Sequence, residues 1–190
     1  MRVEATRARL EYRALNVFSR LNGISMKIDK FITSKLLGKI WHVTSHERYQ
    51  LIMSDGFIRS EPAIGNDQRW STRQGPRWYP FVRHIGGFSL FDFPVGFDLD
   101  RYRQRCPSSS LEALIPYRPE WGHSVWLEID QVAQATSLLR GDVVWERCEQ
   151  EGRGRRCMPH IEAAHIGDMP ISSIAAANLF AKGDTDWRAV

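Results

Sequence analysis

Short apolar–polar alternating runs, brief helical segments set between them, and no long strand–helix–strand repeat predict an α+β fold for this 190-residue chain. The length suits one core with an appended arm. Residues 1–37 read as an N-terminal amphipathic helical arm, 38–181 as a single α+β domain, and 182–190 as a frayed tail.

The elements follow in order. Residues 4–21 place Leu10, Ala14, Val17, Phe18 and Leu21 on one helical face, and Asn22-Gly23 stops the helix. Ile24–Leu37 repeats the pattern with Ile28, Phe31, Ile32 and Leu36. These two helices either pack on the body or a second subunit, or present a basic arm to an anionic surface. Lys39–Val43 is strand-like. Thr44, Ser45 and Glu47 then open a helix over Ser45–Ser54, and Asp55-Gly56 ends it before Phe57-Ile58 extends again. Residues 59–86 are rich in Arg, Pro, Gly and aromatics. In this stretch Arg69, Arg73, Arg77 and Arg83 either grip phosphate or belong to a solvated lid.

Gly87–Phe93 is a strand with Phe88 and Leu90 on one face and Ser89, Phe91 and Phe93 on the other. Short helices are expected at Ser109–Ile115 and Gln131–Ala135, and strands at Ser124–Ile129 and Val143–Trp145. Glu149–Arg156 reads as a hairpin tip. Cys157–Ala163 reads as a last strand with His160 and Glu162 on one face. Gly167, Asp168 and Pro170 form a turn, and Ser172-Ser173 cap a helix over Ile174–Phe180.

Composition narrows the function. Hydrophobic content of 43% and charged content of 25% are ordinary globular values, and a net charge of +4 leans towards a phosphate-bearing partner. Three cysteines without paired spacing argue against a disulfide scaffold and fit a reducing compartment. No apolar run approaches the roughly 20 residues of a membrane span, so the expected location is cytoplasmic. GxGxxG, GxxxxGK[ST] and GxSxG are all absent. His160-x-Glu162-x-x-His165 matches no metal-ligand spacing, so no metal is expected. The remaining candidates are His42 near the end of one strand, Ser89 on a second and Glu162 on a late one, which can converge on one cleft.

The unit IWHVTSHERYQLIMSDGFIRS, followed by GGFSLFDFP and PHIEAAHIGDMPISSI, resembles ADP-ribosyltransferase-like domains. The likeness is to the DarT-like, DNA-modifying branch, and it covers about a third of the chain. It implies a split mixed β-sheet and NAD⁺ as co-substrate. It assigns His42 and Thr44 to the ribose and nicotinamide portion, Ser89 to the nicotinamide pocket, and Phe91 or a nearby aromatic to ring stacking. Glu162 becomes the catalytic carboxylate, and Arg69 or Arg73 the arginine after the first unit. The activity implied is ADP-ribose transfer to nucleic acid or protein, or NAD⁺ hydrolysis, in a toxin or effector setting. Ser89-Leu90-Phe91 departs from the Ser-Thr-Ser pattern of one large branch, and His160 stands where that branch has a second acidic residue. The alternative is a non-catalytic nucleotide- or nucleic-acid-binding module.

Overall fold

The computed structural model describes residues 28–69, 75–107, 109 and 111–190. The fold is α+β. Among the described residues nine strands form two sheets: a seven-stranded one in the order β5-β6-β3-β1-β4-β8-β9, and a β2-β7 pair. The strands are β1 (Ile40–Thr44), β2 (Phe57–Ile58), β3 (Gly87–Asp92), β4 (His123–Ile129), β5 (Leu138–Leu139), β6 (Glu162–Ile166), β7 (Met169–Pro170), β8 (Ile174–Ala181) and β9 (Arg188–Ala189). A mixed sheet was the expectation; every described pairing is antiparallel. The helices lie between strands that do not become parallel neighbours, so no crossover unit arises.

The sheet has two apolar faces. Trp41, Phe91, Phe93 and Trp126 point to one, which is covered by Ile28, Phe31, Ile32 and Leu36 of α1 (residues 28–36) and by Leu99 and Tyr102 of α4 (Leu99–Arg105). The expected α1 stripe is thus buried on the body. The expected helix over 4–21 lies outside the described residues. Ile40, Phe88, Leu90, Val125 and Leu127 point to the other face, against Tyr49 and Ile52 of α2 (His46–Asp55). Phe81 and Val82 of α3 (Phe81–His84) pack with Val144 and Cys148 of α5 (Gly141–Glu151) and with Ala164. Helix α2 begins where Ser45 accepts the Arg48 N–H, and it ends at Gly56, whose φ of 77° suits the left-handed cap.

Several elements differ from expectation. Ile174–Phe180, expected as a helix, is strand β8, paired with β4 from His123↔Ala181 to Ile129↔Ile174. Its alanines favour helix locally, but the open edge of β4 supplies a ladder of partners, and tertiary pairing outweighs propensity. Val143–Trp145, expected as a strand, lies inside α5, where Val144 and Cys148 are one turn apart on the buried side. Glu149–Glu151 therefore end a helix and are not part of a hairpin tip. The last expected strand begins five residues later than read, at Glu162, because His160 takes φ 61° and turns the chain. His160 and Glu162 therefore do not share a strand face. Residues 131–137 form turns instead of a helix, with Asp130 accepting the Val132 and Ala133 N–H groups. The end of the chain, expected to fray, carries β9, and Trp187 packs on Phe31 and Trp41.

Candidate functional site

The sheet forks between β1 and β3. Strand β1 stays beside β4 along its whole length, Ile40↔Ile129 to Thr44↔Val125, and β3 stays beside β6 from Gly87↔Ile166 to Phe91↔Glu162. Their own pairing covers only Ile40↔Asp92 and Trp41↔Phe91. Beyond that point His42–Thr44 and Gly87–Ser89 diverge and border a cleft of about 780 Å³. Helix α2 and residues 57–64 wall its other side. The fork lets both sheet faces reach one space. His42 and Thr44 belong to the Phe88 face and Ser89 to the Glu162 face, yet His42, Thr44 and Ser89 all line the cleft.

His42 stands at the crotch. Its Nδ1 lies 3.2 Å from the Ser89 carbonyl oxygen, and its ring meets Phe88 edge-on. A carbonyl only accepts, so Nδ1 carries the proton and Nε2 is an acceptor. Burial lowers the imidazole pKa to about 4, so the ring is neutral at neutral pH.

Glu162 stands behind Ser89. Its Oε1 accepts the Ser89 hydroxyl at 2.6 Å and its Oε2 accepts the Met158 N–H at 2.7 Å. Glu162 is buried and Ser89 is exposed to the cleft. Burial raises the carboxyl pKa above its usual range, and the Ser89, Met158 and Cys157 donors pull the other way without cancelling it. The fork thus joins His42, Ser89 and Glu162 through two hydrogen bonds.

The remaining expected residues divide. Thr44 is buried on the cleft wall, and Arg69 lies on its rim, donating to the Ser60 carbonyl and pairing with Glu61. Arg73 lies outside the described residues. Phe91 must be corrected: it is 6% exposed and packs between Phe93 and Trp126, in the part of β3 still paired to β1. It is a core residue because the sheet is closed there. On β3 the aromatic that reaches the cleft is Phe88, one position from Ser89 on the opposite face, and Phe57 lines the cleft from β2.

His160 bonds Asp142 at 2.7 Å beside Trp145, and His165 bonds Gln134 and the Gly167 carbonyl. Among the described residues no three His, Cys, Asp or Glu side chains gather as a metal site. No helix among them is long and apolar enough to cross a membrane.

Sequence reasoning missed Arg48 and Glu61. Arg48, in the first turn of α2, lines the cleft, donates to the Gln68 carbonyl and lies over Trp121. Its signal was present, since the first turn after the His42–Thr44 strand must face the strand's end. Arg83, named only as a general phosphate gripper, lines the cleft too. Comparison of the chain with protein-family models, with curated proteins and with solved structures gave no match in any of the three.

Proposed function

We propose that this chain is an NAD-dependent ADP-ribosyltransferase or NAD glycohydrolase, with an ADP-ribosyltransferase-like fold and its site in the β1–β3 fork. The observation that carries this is the linked set of His42, Ser89 and Glu162 from three strands, with His42 and Ser89 lining a cleft edged by Arg48, Arg69 and Arg83 and Glu162 bonded behind Ser89. The cleft volume suits a dinucleotide-sized ligand. The acceptor is nucleic acid or protein in the transferase case, and water in the hydrolase case.

Each group has a chemical task. The bond between nicotinamide nitrogen and ribose C1′ breaks with its electron pair leaving on nicotinamide, and C1′ passes through an oxocarbenium-like state. His42 Nε2 accepts a ribose hydroxyl and fixes the sugar. Phe88 offers a ring edge or face to nicotinamide. Thr44 holds the wall beside it. Glu162, ionised, places negative charge near the developing cation and draws a proton from the incoming acceptor through the Ser89 hydroxyl, which passes its own proton to Oε1 as it takes the acceptor's. Arg48, Arg69 and Arg83 meet the phosphates.

The test is nicotinamide release from NAD⁺ by the parent protein and by Glu162→Gln, with DNA, RNA or lysate protein offered as acceptor. Release by the parent that falls about 10²–10³-fold in the variant is the expected outcome. No release under any condition, with no rise in melting temperature on adding NAD⁺, sinks the proposal. One observation favours a second reading, a non-catalytic nucleotide- or nucleic-acid-binding module: both Glu162 oxygens are already occupied and the residue does not line the cleft. NAD⁺ binding with a parent as silent as Glu162→Gln is its signature.

A further inference from the structure

The rim of the cleft holds a set of charges that catalysis at the fork does not use. Glu61 accepts from Arg83 through two parallel bonds, Nε to Oε1 at 2.7 Å and Nη2 to Oε2 at 2.9 Å, and from Arg69 Nη1 at Oε2. A bidentate guanidinium fork gripping two oxygens of a planar acid is also the geometry that grips phosphate. The two arginines are largely covered, with side chains 13% and 15% exposed, whereas Glu61 is 57% exposed.

The anchoring is unequal. Arg83 lies 3.8 Å from the Tyr79 ring centre and donates through Nη1 to Asn66 Oδ1 at 3.0 Å. Asn66 is itself oriented by donating to the Tyr79 hydroxyl at 2.9 Å. Arg69 donates to the Ser60 carbonyl at 3.1 Å. Both guanidiniums therefore stay in place without Glu61. Among the described residues the Glu61 carboxylate is held by these two arginines. Arg48 and Arg59 also line the wall, and Arg59 pairs with Asp55, so Glu61 is the carboxylate that stands between Arg69 and Arg83.

We propose that Arg69 and Arg83 form a preorganised subsite for a phosphate or pyrophosphate group, and that Glu61 occupies it in the free protein as a displaceable internal plug. This deepens the NAD proposal, since it gives the dinucleotide's phosphates a place and a competitor. The subsite itself can be probed without NAD⁺. Displacement moves the Glu61 carboxylate from two guanidiniums into water and puts a more highly charged group on the same donors. The apparent affinity for any phosphate ligand is reduced by the fraction of molecules with the plug in place.

The experiment is isothermal calorimetry on the full chain with inorganic pyrophosphate and, separately, ADP-ribose. With the plug closed nine-tenths of the time, Glu61→Gln binds pyrophosphate about tenfold more tightly than the parent, and Arg83→Met at least about tenfold more weakly. Equal or weaker binding by Glu61→Gln overturns the plug, and unchanged binding by Arg83→Met overturns the subsite.

A second measurement needs no variant. Arg83 and Arg69 hold the Glu61 carboxyl at about 2, against an ordinary 4.5. A displaced Glu61 regains the ordinary value, so sulfate binding at pH 4.5 takes up about half a proton, read from titrations in buffers of different ionisation heat. No uptake overturns displacement. ADP-ribose that ignores both substitutions while pyrophosphate follows them keeps the plug and removes the dinucleotide from this subsite.

Discussion

Burial shifts His42 and Glu162 in opposite directions, because it penalises imidazolium in one and carboxylate in the other. The consequences for stability have opposite signs. His42, lowered from 6.5 to about 4, binds fewer protons folded than unfolded in that window, so it removes stability as pH falls from 6.5 towards 4. Glu162, raised above the ordinary 4.5, binds more protons folded than unfolded, so it removes stability as pH rises above 4.5 towards its folded value. Urea unfolding at a series of pH values separates them. His42→Gln flattens the acid-side loss, and Glu162→Gln flattens the loss on raising pH. A Glu162→Gln curve parallel to the parent's across the whole range contradicts a raised carboxyl pKa. On the proposed transferase reading, the same shift predicts that turnover climbs with pH until Glu162 ionises, with a limb above the ordinary carboxylate range that Glu162→Gln abolishes.

Among the elements, α5 shows best how packing outvotes local preference. Gly141, in its first turn, sits where an added Cβ would lie 2.1 Å from the His160 carbonyl oxygen. Helix propensity alone makes Gly→Ala favourable by about 1 kcal/mol. Here the carbonyl belongs to the strained turn that delivers Ile161 and Glu162 to β6, and neither backbone can move freely. Gly141→Ala is expected to destabilise by about 2 kcal/mol or more in urea unfolding, because backbone overlap exceeds the propensity gain. On the proposed NAD⁺ reading it is also expected to lower NAD⁺ affinity, since it displaces the segment that holds Met158 and Glu162. A stabilised Gly141→Ala shows that the helix start is loose and that Glu162 is not positioned by it. The β1–β3 fork is the other element-scale feature. Two paired residues hold the strands together at one end, and the His42–Ser89 bond marks where they part.

Across the whole molecule, the segment around Trp187 returns to α1 and β1. Trp187 contacts Phe31 of α1 and Trp41 of β1, with the Lys35 ammonium 5.4 Å from its ring centre, and Arg188–Ala189 extend the sheet beyond β8. Partly buried indoles in such clusters are worth several kcal/mol, so Trp187→Ala is expected to lower unfolding free energy by about 2–4 kcal/mol. On the proposed reading, nicotinamide release per folded molecule is expected to stay unchanged, because the contact lies on the face opposite α2. A change below about 0.5 kcal/mol makes the tail an ornament to the fold instead of a strap.

What the sequence determined by itself is local. Alternation marked β1, β3 and β4 within a residue or two, because each strand has a buried face that fixes its own pattern. The stop of α2 was legible in Gly56 and its start to within one residue: the Thr44–Glu47 spacing reads as a capping box, whereas Ser45 caps the helix because Thr44 is still paired in β1. His42, Ser89 and Glu162 were legible as residue types at strand positions. Only the tertiary structure decided the rest. Ile174–Ala181 became a strand because β4 had an open edge, and that edge is not encoded within the segment. Phe91 went to the core and Phe88 to the cleft because the sheet closes at one residue pair and opens at the next. That fork depends on pairings more than 40 residues apart, which no local periodicity carries. Glu61 took its place for the same long-range reason, since its partner Arg83 lies 22 residues away in sequence.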